Sequence, residues 1–345
     1  MRHIGCFVLF LSLASALAFG QATEDRFLTP ERQHFLVSVQ QKLFDDRFAE
    51  ADSIIAAYRQ LNPADPTGML FQAGSLITQM TDREEELSPD LFKALIDSCL
   101  EMTEPMLVTA TPREQAWLRL IRGHAHAYRS IYSSHFGSFA AAIDHGFDAK
   151  GEYREGLKAD STLYDLYFGL GSYHYWKSAK AGFLRWIGIF NNDKAKGIRE
   201  LKLAADSSLV SREAATNALI WVHFDNDQFD EARQMVDSAM LRYPNGKSFL
   251  WPLAKALFEQ EEYASALTTF EELRRRLALQ PGNYYNLIEC DFYLTKCHER
   301  LSQQDMASAT AEKFAEYYSE LTKAVQDRQK KNLSYLKKMA DRKNG

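Results

Sequence analysis

The chain has 345 residues, a formal net charge of −5, 46% hydrophobic and 12% aromatic residues. That mild acidity excludes a predominantly nucleic-acid-binding surface, and the apolar content excludes an intrinsically disordered chain. Four cysteines in such a length exclude a small disulfide-built scaffold.

In chain order, Arg2 and His3 precede an apolar run over residues 7–18, and small residues follow at Ala16, Ala18 and Gly20. This is the pattern of a secretory signal peptide over residues 1–20, cut before Gln21 or just after Ala18. The mature protein is therefore expected to be exported, to a bacterial periplasm. Cys6 precedes the apolar run, so it does not serve as a lipoprotein cysteine. No later run approaches the roughly 18 apolar residues of a spanning helix. Of the remaining cysteines, Cys290 and Cys297 are seven apart, about 10 Å along a helix. A disulfide needs alpha carbons within roughly 7 Å, so both are expected as buried thiols, like Cys99.

Periodicity and proline placement predict helices at 31–45 and 48–61, with Pro30 at the first turn. Further pairs are predicted at 67–80 with 91–102, 113–133 with 138–157, and 162–178 with 194–205. Two clear repeats follow, then 284–301 with 306–325 and a basic terminal helix. No alternating strand pattern with hairpin turns occurs, so the fold class is all-α. The division is 1–20 signal peptide, 21–160 N-terminal hairpins, 161–322 repeats with an apolar insertion at 179–193, and 323–345 basic tail. That tail, with Lys323, Arg328, Lys330, Lys331, Lys337, Lys338, Arg342 and Lys343, is expected to be a solvated helix.

Phe229-Asp230-Glu231-Ala232 and Tyr263-Ala264-Ser265-Ala266 stand 34 residues apart. The register continues through Leu219 with Leu253, Ile220 with Ala254, Val222 with Ala256, and Val236 with Phe270. Gly197 and Ala204 fall one residue out of step with Ala232 and Ala239. Phe48 to Ala51 repeats the same phrase, and Pro63 follows Ala51 by the interval that separates Pro244 from Ala232. A period of 34 with small residues at these places resembles the tetratricopeptide repeat family. The resemblance implies an α-α superhelix, a solenoid of helical hairpins in which the small residue marks the press of one helix on another. Ile220 departs from it by occupying a usually small position. Residues 160–240 also resemble, more distantly, the large tetratricopeptide proteins of the domain-39 class, which bring no catalytic residues with them.

The stretch 167–193 stands apart. Gly169 and Gly171 lie in a helix despite costing near 1 kcal/mol each, which close approach of the next helix explains. About fifteen residues then separate Ser178 from Lys194, where a standard repeat spends a few. Phe183, Trp186, Ile187 and Phe190 have helical spacing. Three readings stand, in order: a plug packed on neighbouring hairpins, a lining for a partner or ligand groove, and a membrane-surface contact. The third lacks polybasic support.

Chemistry is sparse. His124 and His126 are two apart, about 200° around a helix, and His145 beside Asp144 and Asp148 matches no metal motif such as HExxH. GxSxG and CxxC are missing, and Asp82 to Glu86 reads as a solvated acidic loop. The expectation is a non-enzymatic scaffold without metal or cofactor, binding a protein or peptide along its concave face. The first helix of each repeat builds that face in the family. By position its contact residues are Tyr173, Trp176, Asn217, Trp221 and Phe224, with Trp186 added from the insertion, and the aromatic ones are anchors of the kind that dominate interfaces. Asn217 alone matches the family's peptide-terminus clamp. The alternative is an all-α binding protein or enzyme for a small apolar ligand, with 183–190 as lid.

Overall fold

Prolines and caps set where the first helices begin in the computed structural model, which describes residues 29–180 and 192–342. Pro30, Pro66, Pro89 and Pro112 each open a helix, where a missing amide hydrogen costs nothing. Thr29 and Asp65 cap two of these through side-chain oxygens, and Thr111 with Glu114 forms a reciprocal capping box. The segment expected to be a signal peptide and Trp186, with most of the insertion, lie outside the described residues.

The described residues form sixteen α-helices and no strand. They are α1 (Pro30–Phe44), α2 (Phe48–Leu61), α3 (Pro66–Arg83), α4 (Pro89–Thr109), α5 (Pro112–Phe136), α6 (Phe139–Ala159), α7 (Asp165–Lys180) and α8 (Lys194–Ser207). Then come α9 (Arg212–Asp225), α10 (Phe229–Arg242), α11 (Lys247–Glu259), α12 (Tyr263–Ala278), α13 (Tyr284–Arg300), α14 (Gln304–Glu312), α15 (Lys323–Arg328) and α16 (Lys330–Asp341). Each odd helix through α13 pairs with its successor, and each pair packs on the next.

The equivalence of the repeats appears in their turns. Asp46, Asp227, Glu261 and Ser302 all have φ between 56° and 62°, and each lies two residues before the second helix of its hairpin. Non-glycine residues seldom adopt this left-handed backbone, so one turn geometry recurs in four hairpins, two of them 34 residues apart. Ala51, Ala232 and Ala266 are all at most 1% exposed where their helices press on neighbours. The glycines behave as the sequence suggests. Gly169 faces the Tyr153 ring, and a methyl group on Gly171 would lie 2.8 Å from the Leu201 amide nitrogen. On the facing helix, a methyl on Gly197 would lie 2.6 Å from the amide nitrogen of Tyr175.

Two predicted helices differ in extent. The helix ending at 102 by prediction runs on to Thr109 through Pro105. Pro105 costs one backbone bond there, to a carbonyl on exposed Glu101 that water can satisfy. The helix predicted over 306–325 stops at Glu312 and gives way to 3-10 turns at Lys313–Glu316 and Tyr318–Glu320. Tyr317 is responsible: its hydroxyl donates to buried Asp291 at 2.7 Å and its ring stacks on Tyr284. Thr322 then caps α15. The basic tail is docked, with Leu333, Leu336 and Met339 buried while Lys330, Lys331, Lys337 and Lys338 face solvent. Cys99, Cys290 and Cys297 are all buried and free, and burial pushes the Cys99 and Cys297 thiols up to about 12.

The array returns to its own beginning. The turn after α1 meets the start of α11, where Asp45 accepts from the Asn245 amide at 2.8 Å and Asp46 from the Lys247 amide at 2.5 Å. The end of α3 meets α13, where the Asn283 amide group donates to Asp82 at 2.7 Å. Arg328 reaches Glu84 and donates to the His135 carbonyl at 2.7 Å.

Candidate functional site

Because hairpins stack in register, their first helices share one side of the array. The return of α11 to α1 turns that side into a cavity of about 540 Å³, lined from α1, α3, α5, α7, α9 and α11. It follows α3 from Thr67 to Asp82, about 22 Å of helix at 1.5 Å per residue. Leu36, Leu70, Phe71, Leu120, Ile121 and Phe168 give it an apolar wall. Gly74 keeps it open beside Tyr128, since a methyl there would lie 2.9 Å from the tyrosine oxygen.

The lining also carries polar side chains, among them Gln40, Ser211, Asn217 and Ser248. The indole nitrogens of Trp117 and Trp251 and the hydroxyl of Thr67 are buried without a hydrogen-bond partner. Their residues are 5%, 8% and 1% exposed. Each such atom costs about 1–3 kcal/mol while it stays unsatisfied. His124 adds a neutral imidazole: desolvation lowers its pKa from 6.5 to about 4, and its Nδ1 lies 3.1 Å from the Tyr153 hydroxyl. Burial likewise pushes the Tyr128 phenol up to about 12. No lysine or arginine stands among the lining residues.

Asp46 and Asp82 close one end, with buried Lys247 between them. The Lys247 ammonium lies 3.2 Å from Asp46 and 3.7 Å from Asp82, and it donates to Gln280 at 2.6 Å. Burial raises both carboxyls above their ordinary range, with Lys247 opposing the shift.

Of the residues expected to contact a partner, Asn217 and Trp221 line this cavity. Phe224 packs edge-on against Trp221 at 5.8 Å. Tyr173 and Trp176 are placed elsewhere. Tyr173 lies between Lys150 and Lys177, 5.2 and 5.7 Å from its ring, and Trp176 packs edge-on to Tyr175 beside α8 and α9. Trp186 lies outside the described residues, although the base of its insertion is pinned where the Asp193 amide donates to Ser178 at 2.8 Å.

Sequence reasoning missed Trp117, Trp251, Thr67 and His124. One signal was available: Trp251 stands 30 residues after Trp221, one helical turn short of the repeat, and so on the same face.

A second cluster lies between α5 and α6. His126, His145 and Asp148 bring a ligating atom each to within 4.8 Å of one another. His145 and Asp148, three apart, share a helical face.

No protein-family model matches the chain, and no curated protein matches it significantly.

Proposed function

We propose that this protein binds a small, uncharged, largely apolar ligand in the cavity between its first helices, without transforming it. This was the second of the two readings of the sequence. The observation that carries it is the apolar wall of Leu36, Leu70, Phe71, Leu120, Ile121 and Phe168 in a cavity of about 540 Å³ whose lining holds no lysine or arginine. The hydroxyl and amide groups of Ser211, Asn217 and Ser248 on the lining suit ligand oxygens such as those of an ester, ether or alcohol. A carboxylate ligand would meet Asp46 and Asp82 with no lining cation, so an anion is disfavoured by charge. The array is read as a tetratricopeptide-like superhelix whose concave side has closed around its cargo. With the leader over residues 1–20, it would work in the periplasm.

The first reading of the sequence, a protein or peptide partner along the concave face, draws support from Asn217 and Trp221, which line the cavity. One experiment separates the two. Tag-free protein is titrated with the neutral fluorophore N-phenylnaphthylamine and with an anionic naphthalene sulfonate. Organic extracts of the purified protein are analysed by mass spectrometry for small molecules and peptides. The ligand reading expects saturable binding of the neutral probe, weaker binding of the anion, and an extractable apolar compound. Ala214→Phe, on the cavity wall, should weaken the probe about tenfold or more with helicity unchanged, since over a kcal/mol of apolar contact is lost. Extraction of peptides alone, or a probe response indifferent to Ala214→Phe, would overturn it.

A further inference from the structure

On α5, His124 faces the cavity, while His126, about 200° further round, faces α6. There it meets His145 and Asp148. The Nδ1 of His126 lies 3.6 Å from the Asp148 carboxylate, and the Nδ1 of His145 lies 3.8 Å from it. Four-coordinate zinc holds nitrogen and oxygen at about 2.0–2.1 Å, which sets donor atoms about 3.3–3.4 Å apart in a tetrahedron. The two nitrogen-to-oxygen separations are therefore within a few tenths of an ångström of a coordination shell.

The imidazoles have an unmet need that an ion would satisfy. Nδ1 of His126 and Nδ1 of His145 are both buried and make no hydrogen bond. Asp148, 56% exposed, leaves one side open for an ion to enter and for water to complete the shell. Arg129 and Arg122 act against positive charge at His126, and the larger influences of Asp148 and Glu152 offset them. Arg122 and Arg119 pair with Glu152 at 2.8 and 2.7 Å, and Arg129 pairs with Asp97. Two neutral imidazoles and one carboxylate favour a divalent first-row transition ion over magnesium or calcium, which prefer oxygen shells.

We propose that His126, His145 and Asp148 form a binding site for one divalent transition-metal ion, of which zinc is the representative. The site is independent of the cavity and of its ligand.

The test uses the full chain without a histidine tag, stripped by chelator and titrated calorimetrically with zinc chloride. One ion per chain is expected. His126→Ala and His145→Ala should each weaken it by at least about tenfold, and Asp148→Asn by a similar factor, as loss of a direct ligand exceeds the 10–100-fold effects of outer-shell partners. Cobalt(II) should give the intense visible bands of a four-coordinate site, and these should vanish in the His126→Ala, His145→Ala double variant. Should a histidine variant lose helicity, Asp148→Asn, altered at an exposed side chain, and the cobalt spectrum of the unaltered chain decide. Absence of a saturable one-to-one phase, or affinity unchanged in the double variant or in Asp148→Asn, would overturn the proposal.

Discussion

Where α7 crosses α8, Gly171 and Gly197 let two backbones touch, so that a single added methyl at Gly197 would meet the Tyr175 amide at 2.6 Å. Where α1 and α3 meet α11 and α13, residues some 200 positions apart are joined by side chains: Asp46 and Asp82 around Lys247, with Asn283 beside them. The first joint is steric, and its strength comes from close packing. The second is electrostatic and buried, and its strength depends on every charge keeping its partner. Neighbouring hairpins are thus fixed by shape, and the closure that makes the cavity adds buried charge to the packing of Phe44 on Tyr243 and Phe249.

Lys247→Met should break the comparison most sharply, since it leaves two buried carboxylates uncompensated, a loss of about 3–5 kcal/mol near neutral pH. Burial already raises Asp46 and Asp82. A carboxyl with a raised folded-state pKa favours the fold most at low pH, and that contribution declines as pH rises through the raised value. Urea melts of the variant should therefore show a smaller loss at pH 5 than at pH 7.5. An equal loss at both would mean that the joint is not electrostatic.

The unaltered protein has an opposing acid response at His124. Its pKa is depressed from 6.5 to about 4, so its stabilising share is complete above 6.5 and is lost as pH falls toward 4. At 1.36 kcal/mol per unit the whole effect is at most about 3 kcal/mol. Melts from pH 7.5 to 4.5 should show a slope that His124→Gln removes, which isolates the carboxyl response of the closure.

Gly197→Ala should cost about 1–3 kcal/mol by overpacking, the same at pH 5 and 7.5, because no charge changes at that crossing. A pH-dependent loss there would erase the contrast between the joints. Leu241→Ser, at a side chain 87% exposed and remote from both joints, should stay within about 0.5 kcal/mol in the same melts.

The hairpins at α9–α12 were legible because each must place a small residue where its helices press together, so Ala232 and Ala266 mark the period. The same constraint made the crossing of Gly171 with Gly197 readable as packing. α4 runs past the end expected at 102, because an exposed carbonyl four residues before Pro105 lets the helix continue through it. Tyr317 misled in the opposite sense: helical spacing ran on through it, but its hydroxyl found Asp291 in α13. Tyr173 and Trp176 share with Trp221 a place on the first helix of a hairpin, yet they do not line the cavity.

The sequence by itself determined the all-α class, the repeat and most helix boundaries, since these depend on local periodicity and on steric rules reaching only a few residues. Tertiary structure decided the rest: that the array returns to meet its first turn, that this return encloses a cavity, and that His126 on one helix joins His145 and Asp148 on the next. Those outcomes depend on how small rotations between successive hairpins accumulate over the chain, a sum that no local pattern records.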